Sequence, residues 1–230
     1  MAHERSCREH RLPAVIDYVL FDLDDTLYPS SCGLGEEMNR RMSVFVADYL
    51  GLDLDAANAL RAQARTRYGT TLTWLRVEHG LLNVDPYMEA VHPCDLSPWI
   101  SAEHAAEVRD VLERIDLPAS VLTNGPEEHA LRVIERLGLT RRFERIFALR
   151  GNNLEGKPAR SAYLRAATAL GLRFESTLFV DDVVQYLLPF RDLGGMIVHM
   201  SSSDSGIPMV PRITSLRELV PMIHPEGSRR

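Results

Sequence analysis

The chain has 230 residues, 45% of them hydrophobic and 25% charged, with a net charge of −6 at pH 7. That length suits one large domain, or a core domain with a smaller one inserted. The negative charge excludes a basic field of the kind that holds nucleic acid polymers. No run of about 18 apolar residues is present to span a membrane. The N-terminal "MAHERSCREHRLP" is polar and lacks the apolar stretch of a secretion signal. Cys7, Cys32 and Cys94 are odd in number, far apart and form no CxxC pair. The expected setting is therefore reduced and cytoplasmic, without structural zinc. Of the 26 basic residues, 25 are Arg; the only Lys is Lys157, in "EGKPAR".

In chain order, "YVLF" runs as a buried strand straight into Asp22, Asp24 and Asp25. From Gly35 to Leu50 the apolar residues Met38, Met42, Phe45, Val46 and Tyr49 recur at helical spacing. Asp55 to Tyr68 predicts a second helix, with Asp53 or Asp55 as cap, and Thr71 to His79 a third. "DPYMEAVH" and "SAEHAAEVRDVLERI" continue the helical pattern. Beyond Leu117 the pattern alternates. "ASVLTNG", "RIFAL", "STLFVDD" and "MIVHM" read as strands. "PEEHALRVIERLGL", with Pro126 at its first position, "PARSAYLRAATALGL", "YLLPFRDLGG" and "SLRELVPMI" read as helices. Alternation of this kind predicts an α/β fold with a doubly wound, Rossmann-like parallel sheet. An all-helical segment, 33–117, is inserted between core segments 14–32 and 118–224. The tails, up to about Pro13 and after about His224, read as loose.

In open α/β sheets ligands bind beyond the carboxyl ends of the strands. Reading only those ends collects Asp22, Asp24 and Thr26; then Thr123, Asn124 and Gly125; then Asp181 and Asp182, with Lys157 opening the helix before the last strand. Residues i and i+2 of a strand share a face, so if the chain stays extended Asp22 and Asp24 point the same way. Clustered carboxylates with only oxygen donors suit Mg²⁺. Thr123 and the backbone amides of Asn124 and Gly125 suit phosphoryl oxygens, and Lys157 can neutralise developing charge. Buried like charges are expensive unless paired; Mg²⁺ and Lys157 would pair these.

The order DxDxT, Thr after a strand, Lys-Pro, then Asp-Asp resembles the haloacid dehalogenase-like (HAD) superfamily of phosphohydrolases over about Asp17 to Ile223. "FDLDDTLYPSSCGLGEEMNRRM", "YGTTL" and "TNGPEEHALRVIERLGL" resemble its pyrimidine 5′-nucleotidase subgroup. The resemblance implies a Mg²⁺-dependent phosphomonoesterase acting on a small phosphate ester, foremost UMP or CMP, as monomer or homodimer. It makes Asp22 the nucleophile that carries an aspartyl-phosphate, and Asp24 the general acid and then base. Thr26 fixes the loop carrying Asp24, and Thr123 and Lys157 bind phosphoryl oxygens. The metal is held by Asp22, Asp181, the main-chain carbonyl of Asp24 and, through metal-bound water, Asp182. The inserted helices become a cap that closes over substrate and selects it, with Tyr28, Met38, Arg41, Met42, Tyr68 and Trp74 as candidate contacts.

Asp25 reads as a loop-stabilising residue facing away from phosphate. His79, His92, His104 and His129 read as surface or cap-packing residues; His129 lies near the start of a helix close to the site, where solvent is favoured over a substrate contact. Cys32 reads as packed and inert. Val183 and Tyr186 depart from the Ser and Asn that relatives place after Asp-Asp, which bears on metal affinity; Gly156 in place of Pro reads as minor. Two other readings remain. The fold also serves phosphomutases and phosphatases of sugar phosphates, phosphoglycolate or pyridoxal phosphate. A non-catalytic regulator that binds a phosphate ligand or a protein is the reading of another class.

Overall fold

The computed structural model describes residues 15–203, 206–207 and 209–224. The two tails and Cys7 lie outside the described residues. Two compact units make up the chain: one runs to Pro29 and resumes at Ile100, the other is Ser30–Trp99. The inserted segment was expected to continue to Leu117. Instead, helix α5 (Ala102–Ile115) belongs to the first unit. Its apolar face, Ala105, Val108, Val111, Leu112 and Ile115, is buried there, and it packs on the C-terminal helix α9 (Leu219–Ile223). An amphipathic helix looks the same in sequence whichever unit supplies its partner.

The first unit is built on a parallel sheet. Its strands are β1 (Tyr18–Phe21), β2 (Ala119–Leu122), β3 (Ile146–Phe147), β4 (Thr177–Asp181), β5 (Met196–Met200) and β6 (Arg212–Ile213). Their order is β3-β2-β1-β4-β5-β6, and every pair is parallel. Strands covered on both faces read as continuous apolar runs. β1, β2 and β4 are buried at every residue, as "YVLF", "ASVL" and "TLFVD" suggest. Strand β6 escaped the sequence reading, because two residues carry no periodic pattern.

Register aligns the strand ends. Phe21 lies opposite Val121 on one side and Val180 on the other. The residues that follow, Asp22, Leu122–Thr123 and Asp181, therefore emerge together at one edge of the sheet. Helices α6 (Glu127–Arg136), α7 (Arg160–Leu170) and α8 (Val184–Asp192) connect the strands. Pro126 stands just before α6 in extended conformation, one place earlier than expected. One face of the sheet carries an aromatic core in which Tyr163, Phe179 and Phe190 pack edge to face or tilted, with ring centroids 5.3–6.0 Å apart.

The second unit is helical throughout its described elements. It contains α1 (Leu34–Leu50), α2 (Leu54–Tyr68), α3 (Thr71–His79) and α4 (Asp85–Val91). Asp53 caps α2 by accepting from Ala56 N at 2.7 Å, and Thr70 caps α3 by accepting from Thr73 N at 3.0 Å. Phe45 meets Tyr87 edge on at 5.2 Å. Arg61 is half-buried and donates to the backbone and side chain of Asn39 and to Ser43, which ties α2 to α1. No helix among the described residues is long and apolar enough to cross a membrane.

Candidate active site

Every strand-end residue singled out from the sequence lies in the first unit, and most converge. β1 ends at Phe21, and Asp22 follows with its backbone N–H donated to Val180 O at 2.8 Å. That bond keeps the chain in strand register for one residue more and fixes where the Asp22 carboxylate points. The next residues form a turn closed by Leu27 N to Leu23 O at 2.9 Å. Leu23 and Leu27 are fully buried and anchor the turn from below.

Lys157 is the centre of the cluster. Its Nζ donates to Asp22 Oδ1 and to Asp181 Oδ2, each at 2.6 Å. It is 3% exposed, with Asp22 at 6% and Asp181 at 0%. The rings of Tyr186 and Phe179 lie 5.2 and 5.4 Å from the ammonium. Burial alone would lower the Lys157 pKa; the two carboxylates outweigh it and hold the ammonium above its ordinary range. One cation cannot balance the acids around it. Burial and then neighbouring acids push Asp22 well up, opposed by Lys157. Burial likewise raises Asp181, and Asp182 reaches about 7 through burial and Asp181.

Asp22, Asp181 and Asp182 each offer a carboxylate oxygen, all within 4.8 Å of one another. The set is oxygen only and carries surplus negative charge, which fits a hard divalent cation. Asp181 Oδ1 accepts from Val183 N at 2.8 Å. A backbone amide makes this bond, so Val183 supplies it as well as any other non-proline residue. Tyr186, the second departure, stands against Lys157; its carbonyl accepts from Tyr163 Oη at 2.7 Å. His199 Nε2 lies 2.8 Å from the Asp182 carbonyl.

The loop after β2 binds the Lys157 segment by a route the sequence did not reveal. Asn124 Oδ1 accepts from Lys157 N at 2.7 Å, and Asn124 Nδ2 donates to Lys157 O at 2.8 Å. The side chain pins the backbone on which the ammonium depends. Gly125 N donates to Thr123 Oγ1 at 2.9 Å, so this amide, expected to face phosphoryl oxygen, is engaged within its own turn. Thr123 is 3% exposed.

Gly156 proves consequential rather than minor. A Cβ there would overlap Asn124 Oδ1 and lie 2.8 Å from Asn124 Cγ and Leu149 Cδ1. Gly156→Ala is therefore expected to destabilise the fold by about 1–3 kcal/mol by prising Asn124 from Lys157. Urea unfolding checks this; a midpoint equal to wild type would show that the clamp yields freely.

Two residues follow Asp24 in the same turn, Asp25 and Thr26. Thr26 is buried, but its hydroxyl meets no hydrogen-bond partner among the described residues. Thr26 therefore meets the loop carrying Asp24 by packing, and the Leu27–Leu23 backbone bond closes the same turn. Asp25 has φ 57°, a left-handed conformation that Asp tolerates better than most residues. Burial and then Asp24 raise its pKa to about 6.

His129, read as a surface or cap-packing residue close to the site, is fully buried in the first unit, with Nε2 2.7 Å from Asp24 Oδ1. The charged neighbours in "PEEHALRVI" hide its position. The signal was its spacing: His129 and Ala130 fall on the same face as Val133 and Ile134, the buried stripe of α6. Tyr28, read as a cap contact, lies in the first unit, is 1% exposed, and donates to Asp24 Oδ1 at 2.5 Å.

The remaining cap candidates lie in the helical unit. Met38 and Trp74 are buried within it, and Met42 packs on Arg61. Arg41 pairs with Glu37 at 2.7 Å, and Tyr68 donates to Glu78. Cys32 is partly buried and Cys94 exposed.

Comparisons with known proteins bear on the family and the fold. A family model described as haloacid dehalogenase-like hydrolase matches residues 16–185. The chain is 23% identical over 209 residues to a 6-phosphogluconate phosphatase of Escherichia coli (strain K12), covering 89% of this chain and 91% of that protein. Among solved structures it is similar to a HAD phosphatase from Thermococcus onnurineus: TM-score 0.57, 19% identity, 89% of this chain and 96% of that one. It is also similar to the L-2-haloacid dehalogenase of Xanthobacter autotrophicus: TM-score 0.56, 14% identity, 93% of this chain and 100% of that one. The family match covers most of the chain and contains Asp22, Asp24, Thr123, Lys157, Asp181 and Asp182: the protein belongs to the haloacid dehalogenase-like hydrolases.

Proposed function

We propose that the protein is a Mg²⁺-dependent phosphomonoesterase that works through a phosphorylated Asp22. We further propose nucleoside 5′-monophosphates, with UMP and CMP foremost, as its substrates. The observation that carries the reading is Lys157 Nζ set 2.6 Å from both Asp22 and Asp181. A carboxylate flanked by a fixed ammonium can meet an anionic phosphoryl group that would otherwise be repelled.

In this reading Asp22 attacks phosphorus while Asp24 gives a proton to the leaving ester oxygen. Asp24 then takes a proton from the water that releases phosphate from Asp22. Lys157 and Thr123 hold the phosphoryl oxygens. Asp22, Asp181, Asp182 and the Asp24 carbonyl would hold Mg²⁺. When bound, Mg²⁺ supplies charge neutralisation at the phosphoryl oxygens. The helical unit, 30–99, acts as the cap that selects the alcohol. The nucleotide assignment is supported by "FDLDDTLYPSSCGLGEEMNRRM", "YGTTL" and "TNGPEEHALRVIERLGL". A second reading, a sugar-phosphate phosphatase, is favoured by the similarity to the 6-phosphogluconate phosphatase.

Phosphate release from UMP, CMP, AMP, GMP, 6-phosphogluconate, phosphoglycolate and pyridoxal phosphate, with Mg²⁺ and with chelator, tests both. Preference for UMP or CMP supports the nucleotidase, and preference for 6-phosphogluconate supports the second reading. Release from none of them, or release indifferent to chelator, would sink the Mg²⁺-dependent phosphomonoesterase.

The raised acids also predict how stability follows pH. Asp25 and Asp182, at about 6 and 7, favour the protonated form in the fold. Their contribution is fully present below the ordinary carboxylate range and is lost as pH rises through 6 to 7. The metal-free protein is expected to melt lower at pH 8 than at pH 5. Millimolar Mg²⁺ should raise the melting temperature by more at pH 8, because it binds the ionised carboxylates. Melting curves with and without Mg²⁺ at both pH values check this; no shift at pH 8 counts against the metal site.

A further inference from the structure

Asp24 is partly exposed, with 27% of its side chain accessible, where Asp22 and Asp181 are buried. Packing alone does not fix such a carboxylate, which turns about two side-chain torsions. Two groups from different elements meet on one of its oxygens. Tyr28, four residues on in the same turn, donates to Oδ1 at 2.5 Å. His129, in the first turn of α6, places Nε2 2.7 Å from the same atom. Both rings are essentially inaccessible, Tyr28 at 1% and His129 at 0%. A buried imidazole and a buried phenol each need a polar partner to offset their desolvation. Here both have Asp24.

We infer that His129 and Tyr28 are positioning residues for the proton-transfer steps, holding the Asp24 carboxyl in the orientation from which it serves the leaving oxygen and then the water. The inference rests on the phosphomonoesterase reading above. In the first half-reaction an Asp22 oxygen bonds to phosphorus and the phosphorus–ester oxygen bond breaks. The departing oxygen takes the Asp24 proton, leaving Asp24 ionised. In the second, a water oxygen bonds to phosphorus, its proton passes to Asp24, and the bond from phosphorus to Asp22 breaks. Asp24 serves both steps from one place. A misplacement of about 1 Å costs roughly 10²-fold in such transfers. Tyr28 sets the carboxyl against its own turn. His129 ties it to α6, the helix that follows the Thr123–Gly125 loop, so the acid and the phosphoryl-binding loop are registered to one rigid element.

Leaving-group chemistry separates this role from a merely structural one. The p-nitrophenolate ion departs without a proton, whereas the alkoxide of a primary alcohol does not. In Tyr28→Phe and His129→Leu, kcat on UMP or 6-phosphogluconate, whichever the wild type hydrolyses, is expected to fall about 10²-fold with KM little changed. With p-nitrophenyl phosphate the first half-reaction should survive. Rapid mixing should show a burst approaching one p-nitrophenol per enzyme, then a slow phase set by the second step. His129→Gln, which keeps an N–H donor, should recover part of the loss. Tyr28→Phe removes a single oxygen and keeps the test decisive if His129→Leu fails to fold. Equal losses on both ester types without a burst would overturn the inference alone. A wild type that hydrolyses neither ester would overturn the phosphomonoesterase reading and the inference with it.

Discussion

Asp22→Asn is expected to lower phosphate release by at least about 10⁴-fold on every ester the wild type accepts, the scale on which removing a covalent nucleophile acts. The amide matches the carboxylate in shape, and its oxygen can still accept from Lys157 Nζ, which lies 2.6 Å from Asp22 Oδ1. The amide cannot attack phosphorus at a useful rate. The loss should therefore appear in kcat while the fold persists. Because burial and neighbouring acids already push the Asp22 carboxyl well up, deleting its charge should not lower the metal-free melting temperature. Phosphate release and thermal melting on the same preparation decide the matter. Residual turnover within tenfold of wild type would remove Asp22 as nucleophile. A large drop in melting temperature would instead mark it as a structural residue.

Lys157→Met should destabilise the protein by about 3–5 kcal/mol, the cost of removing one partner from a buried ion pair. Methionine keeps the unbranched stem, so packing against Phe179 and Tyr186 is largely preserved. What is lost is the ammonium, and Asp22 and Asp181 remain buried with Asp182 close by. The carboxylates then protonate more readily still, so the deficit should grow with pH and shrink toward pH 5. Urea unfolding at pH 5 and pH 8 reads this directly. A deficit independent of pH would mean the cost is packing rather than charge. Adding Asp181→Asn to Lys157→Met should return part of the stability, since one uncompensated charge is removed. Activity should fall by about 10²–10³-fold, as for loss of one preorganised stabilising group. Arg is not a rescue, because its planar fork does not fit a pocket shaped for a compact cation.

The elements that surround the site differ in how far their sequences announce them. The central strands are legible because burial on both faces leaves unbroken apolar runs, as in "YVLF" and "TLFVD". Asp22, Asp181 and Asp182 are legible because carboxylates at the ends of such runs have few purely structural explanations. Lys157 stands out as the single Lys. The helices α1 to α4 follow from spacing and caps. The unit to which α5 belongs does not, since an apolar stripe carries no address. His129 was misread for a related reason. Its neighbours Glu127 and Glu128 are exposed, and only the turn of the helix separates its face from theirs.

Local chemistry written along the chain thus determined the fold class, the order of the strands' acids and the presence of one cation to meet them. Tertiary structure alone decided which partners those groups keep. The Asn124 clamp on the Lys157 backbone spans 33 residues, the Lys157 bridge to Asp22 spans 135, and the His129 contact with Asp24 spans 105. Contacts at that separation depend on sheet register and helix rotation, which arise from the packing of many side chains at once. A buried polar group can be recognised in sequence as needing a partner, but its identity is fixed only when the chain closes around it.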